Sequence, residues 1–143
     1  MRRGTAVLVA ALLLPLSGCG GQSYCDALQQ QRKEIAEMTG SGSPSALLDG
    51  LPMLRDLAEK APEDLADEWQ TLIGALDGLD DAIREAGVKP ADFEDGKPPA
   101  GLSAADQKAI TDAANQIGTD GVVQASAGIE QQARDVCKLN LGL

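Results

Sequence analysis

Three cysteines are the residues whose chemistry this sequence defines most clearly. Cys19, Cys25 and Cys137 are its only thiols, in a chain of 143 residues that contains no histidine. A cysteine thiol can be acylated, form a disulfide, bind a metal ion or act as a nucleophile. Without histidine, the commonest general base and the commonest zinc ligand are both missing. Acylation and disulfide formation are therefore the reactions that these three residues favour.

The N-terminal stretch has the layout of an export signal. Arg2 and Arg3 provide a positive charge at the start, and an apolar run of twelve residues follows over Thr5 to Leu16. A run of this length is typical of a secretory signal, whereas about 20 residues are needed to cross the core of a bilayer. The run leads into Leu16-Ser17-Gly18-Cys19, in which the small residues can lie extended in the cleft of a peptidase.

Leu16-Ser17-Gly18-Cys19 resembles the lipobox of bacterial lipoproteins. In that family the cysteine thiol accepts a diacylglyceryl group and the cysteine becomes the mature N-terminus; Cys19 is the matching residue here. The resemblance implies that residues 1–18 are a cleaved signal peptide and that a lipid anchors the protein to the cell membrane, facing the extracytoplasmic side. Two alternatives are an ordinary cleaved signal, which would leave Cys19 as a free thiol, and an uncleaved membrane anchor.

If Cys19 carries lipid, only Cys25 and Cys137 remain for an intramolecular disulfide. An exported chain folds where disulfides persist. In the chain-entropy model, a disulfide that closes a loop of about 100 residues stabilises a protein by roughly 4–5 kcal/mol. A redox-active pair is the alternative, but the sequence contains no Cys-x-x-Cys motif. We therefore expect a structural disulfide between Cys25 and Cys137.

The charge of the exported part excludes one class of partner. Removing Arg2 and Arg3 from the 12 basic residues leaves 10, against 22 acidic residues. Nucleic acids and anionic lipid headgroups repel so acidic a domain, and we expect no nucleic-acid partner. One Trp, one Tyr and one Phe are too few aromatic residues to form a surface on which bases or sugars stack.

Apolar residues recur at helical spacing over 23–143. After the signal peptide (1–18) and a short tether (19–22), this part should form a single all-α domain. We expect a compact bundle of about four to six helices, with the terminal helices joined by the disulfide. Serine caps, prolines and glycine-rich turns mark the expected helix ends. Helices are predicted over 23–39, 44–49, 52–60, 62–86, 103–117 and 122–138.

The predicted helix over 62–86 has the most regular pattern. Its apolar residues alternate at steps of four and three, which is typical of the core face of a bundle: Leu65, Trp69, Leu72, Leu76, Leu79, Ile83 and Ala86. Gly74 and Gly78 should allow another helix to approach closely. The loop predicted over 88–102 contains the only phenylalanine, Phe93. We expect Phe93 to pack onto the nearest helices; contact with a partner is the alternative.

Acidic residues crowd the same helix. Eight carboxylates lie there against a single basic residue, and they avoid its apolar positions: Glu63, Asp64, Asp67, Glu68, Asp77, Asp80, Asp81 and Glu85. Such a surface can bind calcium or a basic partner, although a solvated surface is the commoner role. The segment Asp92-Phe93-Glu94-Asp95-Gly96 lacks the alternating ligands of a calcium loop. We therefore expect no metal ion and no cofactor.

The sequence contains neither a nucleophile motif nor a glycine-rich phosphate loop after a strand. As a whole it resembles small, cysteine-paired helical lipoproteins of high-GC Gram-positive bacteria, which implies lipid on Cys19 and a disulfide between Cys25 and Cys137. We expect no enzyme but a membrane-tethered binding or interaction module, with an unidentified envelope protein or ligand as its partner. A helical lipoprotein that binds a small ligand or a divalent cation is the alternative. A Gram-negative source would place the protein in the periplasm.

Overall fold

A computed structural model of the chain describes residues 19–41, 43–93 and 96–143. The predicted signal peptide, 1–18, lies outside the described residues. The described part is mainly helical and contains no strand, which confirms the all-α class. Its six α-helices pack into a compact fold, and their number agrees with the prediction of four to six. They are α1 (Cys19–Ser41), α2 (Pro44–Asp49), α3 (Leu51–Lys60), α4 (Ala66–Glu85), α5 (Ala104–Ile117) and α6 (Asp120–Asp135).

The first and last helices differ from their predicted bounds. Helix α1 begins at Cys19 rather than at Ser23, so residues 19–22, expected as a tether, are part of it. Helix α6 ends at Asp135, before the predicted Lys138. Lys138 has a φ of 59°, a left-handed backbone conformation that a right-handed helix does not contain.

The start of α4 also differs from the prediction. Pro62 is expected at the first helical position, but its backbone is extended, with a ψ of 153°, and a 3₁₀ turn over Glu63–Leu65 precedes the helix. The Leu65 N–H donates to the Pro62 carbonyl at 2.9 Å. This tighter turn places Leu65 in the core, where its side chain is buried.

Two clusters of buried residues form the core. In the smaller one, Leu79 and Ile83 of α4 meet Leu48 of α2 and Ile110 of α5. The larger one joins α1, α3, α4 and α6 to the segment after α6. Because α4 contributes to both clusters, it is the central helix, in agreement with its long apolar pattern. The largest fully buried side chains of the larger cluster are those of Trp69, Tyr24, Leu28, Ile35, Leu54, Leu57, Leu76 and Ile129.

Two aromatic rings meet inside the larger cluster. Trp69 Nε1 donates a hydrogen bond to Tyr24 Oη at 3.0 Å, and the rings pack edge to face with their centroids 6.4 Å apart. Burial raises the pKa of Tyr24 to about 12, although the hydrogen bond from Trp69 acts in the opposite direction. The pair therefore links α1 to α4 and gives both buried polar atoms a partner.

Gly74 and Gly78 do not bring another helix close, and that prediction was wrong. Both residues are exposed, and a Cβ at either position would meet no atom within 4 Å. Gly74 lies midway between the buried Leu72 and Leu76, so it faces away from the core. Close approach occurs instead at Gly50, where a Cβ would overlap Met38 Sδ.

The segment between α4 and α5 packs against the smaller cluster. A 3₁₀ turn over Pro90–Asp92 leads to Phe93, which is half-buried and packs on that cluster, as expected. Glu94 and Asp95 lie outside the described residues. At the end of the predicted helix over 122–138, the Val136 side chain is 58% exposed, because α6 has already ended at Asp135.

Candidate functional site

Two of the three predicted site residues come together. Cys25 of α1 is joined to Cys137, just after α6, across 112 residues of sequence, and their Cα atoms are 5.1 Å apart. Cys19 is the first residue of α1, and its lipidation stays a prediction. With a helical rise of 1.5 Å per residue, the six steps from Cys19 to Cys25 cover about 9 Å. The predicted anchor and the disulfide therefore lie at the same end of α1.

Three of the acidic residues of α4 form ion pairs. Asp77 pairs with Arg55 of α3, while Asp80 and Asp81 pair with Arg84 on the same helix. Their side chains are exposed or half-exposed, and such pairs contribute about 0–1 kcal/mol each. In the part of the chain that the structure describes, no three His, Cys, Asp or Glu side chains lie close enough to hold a metal ion together.

An apolar cleft of about 340 Å³ opens between the C-terminal part of α1, helices α2, α3, α4 and α6, and the last residue of α5. Ligand sites in proteins occupy about 300–1,000 Å³ and are lined mainly by hydrophobic side chains. Ten of the twelve described residues that line this cleft are hydrophobic and none has a charged side chain: Met38, Thr39, Leu47, Leu54, Leu72, Leu76, Ile117, Val122, Val123, Ser126, Ala127 and Leu143. The cleft thus has the size and the chemistry of a ligand site.

The cleft runs from a buried interior to an exposed mouth. Leucines of α3 and α4 line the interior together with Val122, which is only 4% exposed, whereas the neighbouring Val123 is 56% exposed. One of the two hydroxyl groups in the lining is already engaged, because Thr39 Oγ1 donates to the Ile35 carbonyl at 2.9 Å. Contact with a bound molecule would therefore be mainly apolar.

Glu130 holds the C-terminal segment that forms one wall of the cleft. Its carboxylate is buried, and Oε2 accepts hydrogen bonds from the backbone N–H groups of Leu141 at 3.1 Å and Gly142 at 3.0 Å. Arg134 pairs with the same carboxylate at 3.2 Å. Hydrogen bonds to a charged acceptor are about twice as strong as neutral ones. The hydrogen bonds that Glu130 accepts keep Leu141 in the core and bring Leu143 to the cleft.

Sequence reasoning identified neither Glu130 nor the cleft. The one available signal for Glu130 is Arg134 four residues later, a spacing typical of a helical ion pair. That spacing predicts an exposed pair, whereas the carboxylate is covered by a segment that follows the helix. The cleft residues belong to apolar stripes on separate helices. Spacing within one helix does not show where the packing of several helices leaves a gap.

Comparisons with known protein families, curated proteins and solved structures give no match for this chain. None of the described helices combines the length and the apolar character that a membrane span requires. Within the described residues, the cleft combines a volume and an apolar lining that fit the binding of a ligand.

Proposed function

We propose that this chain is a lipid-anchored extracytoplasmic protein that acts as a non-enzymatic binding or interaction module. The observation that carries the binding role is the apolar cleft of about 340 Å³. The described residues that line it would exclude water from a bound apolar group, which favours binding. The same lining presents no acid or base to a reacting atom, which proton transfer in catalysis would require. The cleft therefore supports binding better than catalysis.

The anchoring role is supported by Leu16-Ser17-Gly18-Cys19 and by the position of Cys19 in the fold. Two acyl chains anchor a protein stably, whereas one chain binds a membrane only marginally. A diacylglyceryl group on Cys19 would join the first residue of α1 directly to the membrane. The domain would then meet its ligand or partner at the extracytoplasmic side of that membrane.

Replacing Cys19 with alanine should move the protein from the membrane fraction to the soluble extracytoplasmic fraction, because alanine has no thiol to acylate. Cell fractionation followed by immunoblotting measures this redistribution. Gly21→Ala is the matched control, since it keeps the thiol and the residues before it, and this variant should stay in the membrane fraction. If Cys19→Ala remains in the membrane fraction like the unchanged protein, the lipidation hypothesis is wrong, and an uncleaved membrane anchor accounts for the membrane association.

Val123 allows the binding role to be tested in cells. A photo-activated crosslinking residue at position 123 should trap a molecule that occupies the cleft. Val136 is the matched control, because its side chain is similarly exposed, at 58% against 56% for Val123, but it is not among the described residues that line the cleft. An adduct at position 123 and none at position 136 is the expected result.

A further inference from the structure

The lining of the cleft determines which kind of molecule it can hold. Burying a charged group without a partner is far more costly than burying hydrocarbon, and no charged side chain occurs among the described lining residues. Of the two hydroxyls, that of Thr39 is bonded to the Ile35 carbonyl. The part of a ligand that enters the cleft should therefore be mainly hydrocarbon.

The volume limits the size of that hydrocarbon. An engineered protein cavity of about 150 Å³ holds benzene, which has six carbon atoms. By the same ratio, a cleft of about 340 Å³ holds on the order of a dozen carbon atoms. One aliphatic chain of medium length fits this volume, whereas the two chains of a membrane phospholipid exceed it.

The exposure of the lining residues shows that such a ligand would keep one end in water. Leu54 and Leu76, deep in the cleft, are each 1% exposed, and Val123 at the mouth is 56% exposed. A chain with a polar head matches this gradient. The head should carry no negative charge, because the exported chain carries 22 acidic residues against 10 basic ones and repels anions.

The ligand is a separate molecule rather than the acyl chains predicted on Cys19. Met38, the first lining residue on α1, is 19 residues from Cys19, which corresponds to about 28 Å along the helix. One acyl chain spans about half of a hydrocarbon core that is about 30 Å thick. The chains on Cys19 are therefore too short to reach the cleft.

We propose that the cleft binds a single aliphatic chain that carries a polar head without negative charge, such as a monoacylglycerol. This inference rests on the proposed binding function and names the chemical class of its ligand. The chain would lie in the cleft and pass Val123 at the mouth, with its head in water beyond that residue.

Calorimetric titration with monoacylglycerols of increasing chain length tests this proposal. The protein is the soluble chain from residue 20 onward, whose helical fold is first checked by circular dichroism, and each ligand is kept below its aggregation concentration. The association constant should rise about fourfold with each added methylene. It should level off near roughly twelve carbons, when the cleft is full. Nonspecific adsorption to the outer surface would instead give an affinity that keeps rising with chain length.

Variants at the mouth of the cleft provide matched controls. Val123→Glu places a carboxylate there and should weaken binding at least about tenfold, whereas Val136→Glu, with the same change outside the cleft, should leave it unaltered. Ala127→Leu adds volume at an exposed lining position and should shorten the chain length at which the affinity levels off.

Three results would overturn the proposal: no heat of binding at any chain length at either of two temperatures, since apolar burial has little enthalpy near room temperature; an affinity that keeps rising with length; or equal losses in Val123→Glu and Val136→Glu. If the titrations are flat but a crosslinker at position 123 still traps a molecule in cells, the ligand class is wrong and the binding function stands. If neither experiment detects a bound molecule, the binding function fails as well.

Discussion

Removing the disulfide between Cys25 and Cys137 should lower the free energy of unfolding by about 2–5 kcal/mol. The two residues are 112 positions apart, so the crosslink restricts nearly the whole unfolded domain. Its loss would also loosen the segment after Cys137, whose buried Leu139 and Leu141 belong to the larger core cluster. Both effects favour the unfolded state.

Urea unfolding, followed by circular dichroism, measures this change in a chain that carries both Cys25→Ser and Cys137→Ser. A reductant provides an internal control, because it should shift the unfolding midpoint of the unchanged chain and leave that of the double variant where it is. Peptide mass mapping without reduction should show the two cysteines joined. Two free thiols, or equal midpoints for the two chains, would refute the structural role of the disulfide.

Replacing Trp69 with alanine should lower the free energy of unfolding by about 3–5 kcal/mol. Trp69 is 2% exposed and lies in the larger core cluster, so the change removes apolar burial and leaves a cavity. It also removes the hydrogen bond to the buried hydroxyl of Tyr24. Trp69→Phe is the matched control, since it keeps a ring but not the donor, and it should cost less. Equal stability of the unchanged chain and Trp69→Ala would contradict the packing described.

The tyrosine of this pair gives an independent measurement, because it is the only one in the chain. Its pKa is raised from 10.0 to about 12 in the folded protein, so the folded state disfavours tyrosinate. The resulting contribution to stability is complete below pH 10 and is lost as the pH rises from 10 to about 12; two pKa units correspond to roughly 2–3 kcal/mol. Near-ultraviolet absorbance of tyrosinate measures this titration, and folded protein that titrates near pH 10 would place Tyr24 at the surface.

Much of the helical architecture could be predicted from local chemistry. Prolines, serine caps and glycines mark chain positions where a helix must begin or end, and the bounds of α2 and α5 agree with the prediction. The apolar pattern of α4 correctly indicated its buried side, because that pattern depends only on the geometry of one helix. Phe93 packs on the smaller cluster as expected.

The errors arise where several helices meet. Gly74 and Gly78 are at the spacing of a close contact, but no described residue comes within 4 Å of where their Cβ atoms would be. Glu130 occupies a helix position that looks solvated until the C-terminal segment folds over it. The cleft depends on how the side chains of six helices fill the space between them, and periodicity along a single helix carries no information on that volume.

The most direct test of the binding role is the mass of the adduct formed by a photo-activated crosslinker at position 123 of the lipid-anchored protein in intact cells. We expect a discrete added mass, absent when the crosslinker is at position 136, and consistent with a single-chain lipid whose head carries no negative charge. No adduct at position 123 would show that the cleft is empty in the cell. The same adducts at both positions would show that the crosslinker reacts without regard to the cleft. Either result would contradict the proposed function.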